Sequence, residues 1–458
     1  MTLIKSISGF RGTIGGKSGN NLTAADIVSC TAAYGSWILE TGKAAKVIVG
    51  RDGRISGNIV SNLAVNTLLS LGIDVVDLGL STTPTVEMMV PDLGAGGGII
   101  FTASHNPKQW NALKFLNDKG EFISGDEGKR ILELEKEAAA IYADVDELGQ
   151  YSEKEDAIAL HIDKILDLDI IDIETIKRKK YTVVVDCINS TGSISIPPLL
   201  DKLGCSYILI NDDLSGDFAH NPEPLPAHLS GLSQAIKDNG ADLGIAVDPD
   251  VDRLAFVCED GSLFGEEYTL VAVADFILSK TPGNTVSNLS STRALSDVTL
   301  KYGKTYHASA VGEVNVVNKM KEVDAVIGGE GNGGVIYPGL HYGRDALVGI
   351  AFVLNLLADK DISLSALRKT YKDYEIRKHK IQLSEGMDLK SIFDSLQDKY
   401  AKEQLNLEDG LKIDMENGWV HLRKSNTEPI LRVYSESTSA EQADQLAEMI
   451  INDVKNLC

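Results

Sequence analysis

One pattern recurs three times along the chain, and it limits the possible folds more than any other feature. A β-branched run ends in a loop, a helical stretch follows, a residue–glycine pair closes it, and a second apolar run begins. The first copy is Val47-Ile48-Val49-Gly50-Arg51-Asp52, then Leu71-Gly72, then Asp74-Val75-Val76. The second is Thr182-Val183-Val184-Val185-Asp186, then Leu203-Gly204, then Tyr207-Ile208-Leu209-Ile210. The third is Thr285-Val286-Ser287-Asn288, then Tyr302-Gly303, then Lys304-Thr305-Tyr306-His307. Each reads as a βαβ unit, whose strands pair in parallel through a right-handed crossover. Three copies in 458 residues predict three related α/β domains. The remainder, about 373–458, lacks the repeat. It mixes strands such as Trp419-Val420-His421-Leu422 with an amphipathic helix from Ala440 to Leu457, an α+β pattern. The expected domains are 1–154, 155–254, 255–372 and 373–458. The acidic, lysine-dotted stretch Asp126–Glu155 reads as one solvated helix, and Leu367–Lys380 as a hinge into the last domain.

Charge narrows the partners. A formal net charge of −22 excludes the basic footprint that nucleic acid requires. It leaves room for small anions, because a few converging arginines overcome a diffuse negative surface at short range. No apolar run is long enough to span a bilayer, so no membrane partner is expected. The N-terminus lacks the apolar core and small-residue cleavage site of a signal peptide. The five cysteines (30, 187, 205, 258, 458) are scattered and odd in number, which fits a reducing cytoplasm and no zinc motif. Nothing in the sequence sets an oligomeric state.

Four loops carry candidate chemistry. The glycine-rich strand Gly96-Gly97-Gly98-Ile99-Ile100-Phe101 empties into Thr102-Ala103-Ser104-His105-Asn106-Pro107. A serine held this way, stiffened by the fixed φ of Pro107, suits a nucleophile or a group carrier. The same residues also suit an ordinary strand-to-turn junction.

The apolar strand Leu243-Gly244-Ile245-Ala246-Val247 leads into Asp248-Pro249-Asp250-Val251-Asp252-Arg253. Alternate carboxylates in an extended segment would project to one side and repel, so a cation is expected among them. All-oxygen ligands fit Mg²⁺. An EF-hand fails because Arg253 stands where that loop needs glycine and strand-like Leu254-Ala255-Phe256-Val257 follows. A phosphotransferase with Asp248 as nucleophile is a second reading.

The third loop, Gly328-Gly329-Glu330-Gly331-Asn332-Gly333-Gly334, lets backbone approach a ligand, with Glu330 and Asn332 able to bond sugar hydroxyls. A plain flexible turn is the default for such a run. The fourth, Arg423-Lys424-Ser425-Asn426-Thr427-Glu428-Pro429 with Arg432 beyond it, suits a phosphate group. Its bland alternative is a capped turn with surface arginines. Arg11, in Ser8-Gly9-Phe10-Arg11-Gly12, adds a cation near the N-terminus.

Together the four loops resemble the α-D-phosphohexomutase family of phosphoglucomutases, phosphomannomutases and phosphoglucosamine mutases. The match runs over essentially the whole chain, in the family's order. It implies four domains around a central cleft, three of them alike with mixed sheets. It implies a phosphoserine at Ser104 and Mg²⁺ on Asp248, Asp250 and Asp252, whose remaining positions include a phosphoserine oxygen. Glu330 and Asn332 would contact sugar hydroxyls. Arg423, Ser425, Asn426, Thr427 and Arg432 would grip the substrate phosphate. Lys114, in Asn111-Ala112-Leu113-Lys114, falls where the family places a general acid/base, and a neighbouring cation such as Arg11 would have to lower its pKa. His105, Arg11 and Arg253 would line the reacting centre, and Gly216-Asp217-Phe218 and His220-Asn221-Pro222-Glu223-Pro224 look like a further family segment.

The implied activity is interconversion of hexose 6-phosphate and hexose 1-phosphate through a hexose 1,6-bisphosphate. Three departures bear on sugar choice: Gly331-Asn332-Gly333-Gly334 for the commoner x-Ser-Gly-His, Ala112 for a glycine, and Asn426 where many members have glycine. The Gly-Glu-x-Asn-Gly-Gly form is most similar to archaeal-type phosphoglucosamine mutases. That favours glucosamine 6-phosphate, with glucose or mannose phosphates as the alternative. A sugar-phosphate phosphatase and a non-catalytic sensor are remoter readings.

Overall fold

The computed structural model describes residues 1–6, 9–383, 388–425 and 430–457. Asn426 and Thr427 lie outside the described residues. The chain divides into two compact units, one of residues 1–276 and 332–367, the other of 277–331 and 368–458.

In the first unit, a seven-stranded sheet has the order Ile4–Ser6, Gly9–Thr13, Trp110–Leu116, Gly97–Phe101, Lys46–Arg51, Asp74–Leu80, Tyr151–Glu153. The first four strands meet antiparallel and the rest pair in parallel, so the sheet is mixed. Both faces are covered. Val47, Val49, Ile99 and Phe101 pack with Ile27, Tyr34 and Trp37, whereas Ile48 and Ile100 pack with Val86 and Met89. Burial on both sides explains why these strands are unbroken apolar runs rather than alternating ones. Thr23 and Asp26 form the expected capping box at the start of helix Ala24–Glu40.

A four-stranded sheet of order Leu254–Cys258, Leu243–Val247, Thr182–Asp186, Ser206–Ile210 follows, its first pair antiparallel and the others parallel. In the second unit Tyr306–Ser309 and Ala325–Glu330 flank Asn284–Asn288 in parallel. The three sequence repeats therefore all fold as parallel βαβ units. The last domain is antiparallel, in the order Glu375–Gln382, Ile430–Ser437, Gly418–Lys424, Leu411–Met415, Gln404–Asn406. Helix Ala440–Asn456 packs Leu446, Ile450 and Val454 onto this sheet's core.

One expectation changes. The stretch 126–155 is not one helix. Helix Gly125–Glu137 ends at Ala138, whose φ of +48° is left-handed. Beyond it the backbone bonds to other segments, Ala143 N to Ser70 O and Gly149 N to Leu69 O, both at 2.9 Å. Tyr151–Glu153 then adds a strand beside Asp74–Leu80, so tertiary pairing outweighs helix propensity there. The last segment of the first unit ends at Leu367, and residues 368–380 group with 277–331 and the last domain in the second unit. Within the second unit Arg293 N donates to Glu436 Oε1 (3.0 Å), Trp419 Nε1 to the same oxygen (2.7 Å), and Tyr374 Oη to Asp297 Oδ2 (2.7 Å). Among the described residues no helix is long and apolar enough to cross a membrane.

Candidate active site

The serine loop begins where strand Gly97–Phe101 ends. Ser104 takes a left-handed φ of +46°, which costs a non-glycine residue about 1 kcal/mol and persists only when neighbours enforce it. Arg54, 1% exposed, does the enforcing. Its Nε donates to Asp52 Oδ2 (3.0 Å). Its Nη1 donates to Pro107 O (3.0 Å) and Trp110 O (2.9 Å), and its Nη2 to Asn106 O (2.8 Å) and Ser104 O. Every N–H of the guanidinium fork is used. Thr102 Oγ1 donates to Asp52 Oδ2 at 2.7 Å and accepts from Ser104 N at 2.9 Å.

The aspartate loop is not the extended segment expected. Val251 has a left-handed φ of +59°, and its N bonds Asp248 O at 3.1 Å. A turn, not strand alternation, gathers the three carboxylates, one oxygen of each lying within 4.8 Å of the others. All three aspartates are fully buried. Ser104 Oγ donates to Asp248 Oδ2 at 2.7 Å, so the serine and the carboxylates share one pocket. Lys114 Nζ donates to Asp250 Oδ2 at 2.9 Å and lies 3.8 Å from Asp252 Oδ2.

Burial and the adjacent Asp252 and Asp250 push the Asp248 pKa well up. Burial also opposes charge on Asp250, but the Lys114 ammonium and the Thr83 hydroxyl hold its pKa well below the usual carboxylate range. Thr83 Oγ1 donates to Asp250 Oδ2 at 2.6 Å and Thr83 N to Asp250 O at 2.9 Å. Burial disfavours the Lys114 ammonium, yet Asp250 and Asp252 outweigh it and raise its pKa. This reverses the lowering by Arg11 expected from sequence, because carboxylates are the nearer charges. Arg11 lies on strand Gly9–Thr13, opposite Ala112 and on the sheet face of Lys114, and makes no ion pair among the described residues.

His105 Nδ1 is 3.4 Å from Ser104 Oγ; burial, then Arg253 and Arg344, lower its pKa to about 3. Arg253 Nη1 donates to Glu223 Oε1 at 2.8 Å, with Nε 3.9 Å from Asp248 Oδ2. Arg344, Arg54 and Thr83 belong to this pocket although no sequence motif marks them. The only hint was an arginine within two residues of an aspartate, in Gly343-Arg344-Asp345 and in Asp52-Gly53-Arg54.

The pocket fits a divalent cation. Asp250 Oδ1 and Asp252 Oδ1 are buried and lack hydrogen-bond partners among the described residues. Leaving such oxygens orphaned is costly, and an all-oxygen donor set suits Mg²⁺.

Asn332 belongs to the same unit, its Oδ1 accepting from Gly334 N at 3.1 Å. Gly333 is not a loose turn residue. Its φ is +84°, and a Cβ there would lie 2.2 Å from Leu254 O.

In the second unit Glu330 closes strand Ala325–Glu330, its Oε1 accepting from Asn288 Nδ2 at 3.0 Å and Gly312 N at 3.3 Å. Arg423 and Arg432 are cross-strand partners, and Lys380 faces Arg432 from the other side. Facing residues on antiparallel strands point to one side, so three cations form a row. Like charges so placed repel. Arg423 Nη1 is 3.5 Å from Asp409 Oδ2, and Arg432 Nε is buried without a partner among the described residues. Ser425 N donates to Ile430 O at 3.0 Å, which brings the ends of the loop together.

Comparisons with known proteins identify the family. Models of the phosphoglucomutase/phosphomannomutase α/β/α domains I, II and III match residues 3–141, 159–261 and 265–374, and that of the C-terminal domain matches 379–453. A phosphoglucomutase/phosphomannomutase from Thermococcus kodakarensis is 34% identical over 448 residues, 96% of each chain. A probable phosphoglucosamine mutase from Methanopyrus kandleri is 31% identical over 89% of this chain and 90% of its own. The crystal structure of a phosphoglucomutase/phosphomannomutase family protein from Burkholderia thailandensis superposes with a TM-score of 0.86 at 26% identity, covering 99% of this chain and 97% of that one. A serine on a strained turn beside three caged carboxylates thus sits on a chain that belongs, over essentially its full length, to the phosphoglucomutase/phosphomannomutase family of α-D-phosphohexomutases.

Proposed function

We propose that this chain interconverts hexose 6-phosphates and hexose 1-phosphates, with glucosamine 6-phosphate as the preferred substrate. The reaction is an isomerisation by intramolecular phosphoryl transfer. The observation that carries it is the 2.7 Å hydrogen bond from Ser104 Oγ to Asp248 inside a carboxylate cage that also holds Lys114. Family membership supports the mutase reading, and the Methanopyrus relative supports the aminosugar. The Thermococcus relative keeps glucose and mannose phosphates as the second reading.

Ser104 would carry the phosphoryl group as an ester. Its Oγ–P bond breaks as a bond forms from the free C1 or C6 oxygen of the bound hexose monophosphate. Lys114, released from the Asp250 and Asp252 carboxylates that hold it as an ammonium, takes the hydroxyl proton as a neutral amine, and Ser104 Oγ leaves beside Asp248 and Arg253. The resulting 1,6-bisphosphate reorients, and its other phosphoryl group returns to Ser104 while Lys114 gives the proton back. Asp248, Asp250 and Asp252 would hold the Mg²⁺, which would neutralise charge on the transferred phosphoryl oxygens and compete with the Lys114 ammonium for its carboxylates. Arg423, Ser425 and Arg432, with Asn426 and Thr427, would grip the phosphate that is not reacting. Glu330 and Asn332 would read the sugar hydroxyls. The proposed domain limits are those expected from sequence, 1–154, 155–254, 255–372 and 373–458.

The test compares glucosamine, glucose and mannose 6-phosphates with catalytic bisphosphate present. The highest kcat/KM should fall to glucosamine 6-phosphate. Ser104→Ala should lose at least about 10⁴-fold in kcat with its fold intact. Normal turnover in that variant, or a phosphoryl group found on Asp248, would remove the phosphoserine. Release of inorganic phosphate from hexose 1-phosphate would make the protein a phosphatase.

A further inference from the structure

A second cluster of ligating side chains lies in the first unit, away from the three aspartates. His161 stands on helix Ala157–Leu166, His341 in the loop after strand Gly334–Ile336, and Asp345 at the N-cap of helix Ala346–Lys360. His161 and Asp345 are fully buried, and the His341 side chain is only 12% exposed. One ligand atom from each lies within 4.8 Å of the others. Asp345 Oδ2 is 2.9 Å from His161 Nε2 and 3.3 Å from His341 Nε2. Ligand atoms at about 2.0–2.1 Å around a tetrahedral zinc ion are about 3.3 Å apart, close to both nitrogen–oxygen separations here.

We propose that His161 Nε2, His341 Nε2 and Asp345 Oδ2 form a site for a divalent transition-metal ion, zinc being the best match.

The surroundings of His161 are those a metal-bound histidine requires. Such a ring uses one nitrogen on the ion and donates its other N–H to a hydroxyl, carbonyl or carboxylate. His161 Nδ1 lies 2.9 Å from Thr85 Oγ1, which in turn is 2.7 Å from Thr82 Oγ1. His341 Nδ1 lies 3.3 Å from Glu87 Oε2, an ion-pair distance outside hydrogen-bond geometry. The rings are perpendicular with centroids 6.2 Å apart, so their Nε2 atoms meet at one carboxylate oxygen without stacking. The other oxygen, Asp345 Oδ1, is engaged by Leu347 N (2.8 Å) and Val348 N (3.2 Å), which leaves Oδ2 as a single, oriented ligand. Two imidazoles and one carboxylate select a borderline-soft ion over Mg²⁺, which prefers oxygen.

The site would join two stretches of chain far apart in sequence, one at residue 161 and one at residues 341–345. Asp345 adjoins Arg344, whose Nη2 donates to Asp252 at 2.7 Å. The ion would therefore brace the arginine that orients the aspartate pocket, without touching substrate.

The test uses full-length protein stripped with chelator and then held in excess Mg²⁺. After addition of Zn²⁺ or Co²⁺ and desalting, metal analysis should find one retained equivalent. The Co²⁺ form should show visible bands of four-coordinate intensity, and zinc should raise the thermal midpoint. His341→Gln and His161→Gln should each weaken retention about 100-fold, whereas Asp248→Asn should keep the equivalent and the bands. No retained equivalent in the wild type would overturn the site and leave a hydrogen-bonded network only. Loss in Asp248→Asn with retention in both histidine variants would assign the ion to the aspartates and also overturn it. If the histidine variants fold poorly, the wild-type cobalt spectrum and Asp248→Asn still decide. None of these readouts depends on mutase turnover.

Discussion

Arg344 Nη2 lies 2.7 Å from Oδ2 of Asp252, a buried contact between residues 92 positions apart. It places a fixed cation against a cage of three carboxylates that also receives Lys114. Arg344→Ala leaves Asp252 less compensated. The expected loss is about 3–5 kcal/mol in chelator, the usual cost of breaking a buried pair. The loss should be smaller in saturating Mg²⁺, which would take over the compensation. Denaturant unfolding with and without Mg²⁺ reads the difference, and equal losses would mean that no cation shares the cage.

Arg54 supports the serine turn with all its donors, so shape matters as well as charge. Arg54→Lys keeps the charge but cannot reproduce the planar fork. It should reduce kcat about 100-fold, as small displacements of reacting groups do. Arg54→Met should in addition cost about 3–5 kcal/mol, because Asp52 loses its buried partner. Wild-type rate and stability in Arg54→Lys would show that Ser104 holds its geometry unaided.

His421 predicts an acid-sensitive second unit. Its Nε2 donates to Asp409 O at 2.7 Å, and its Nδ1 accepts from Ser290 Oγ at 2.9 Å. Burial lowers its pKa to about 4 from an ordinary 6.5. As pH falls below 6.5 the unfolded chain takes up a proton that the folded chain refuses. The stabilisation is complete above that pH and is lost on the way down to about 4, by about 3 kcal/mol at most. His421→Gln keeps a donor and an acceptor but does not titrate. Its denaturant midpoint should fall less steeply than the wild type's between pH 6.5 and 4, and parallel curves would discount His421.

The cationic row formed by Lys380, Arg432 and Arg423 repels itself without an anion. Arg432→Gln should therefore stabilise the ligand-free protein by about 0.2–1 kcal/mol while raising KM at least about tenfold. Inorganic phosphate should raise the thermal midpoint of the wild type but not of this variant. A variant that lost stability without phosphate would assign Arg432 a structural role instead.

Much of the architecture could be read from local pattern. Paired β-branched runs separated by a helix and a glycine determined three parallel units, because strand and helix periodicity are short-range properties. The candidate loops were visible for the same reason, as polar runs where an apolar strand stops: Ser104 after Gly97–Phe101, Asp248 after Leu243–Val247, Glu330 at the end of Ala325–Glu330. Tertiary structure alone decided how these loops work. Ser104 meets Asp248 across 144 residues, and Arg54 meets Ser104 across 50. The turn at Val251 gathers carboxylates that an extended segment would have spread, and Asp250 raises the Lys114 pKa where sequence suggested a decrease. Charge state and strain depend on which groups folding buries together, and long-range contacts of that kind leave no periodic trace along the chain.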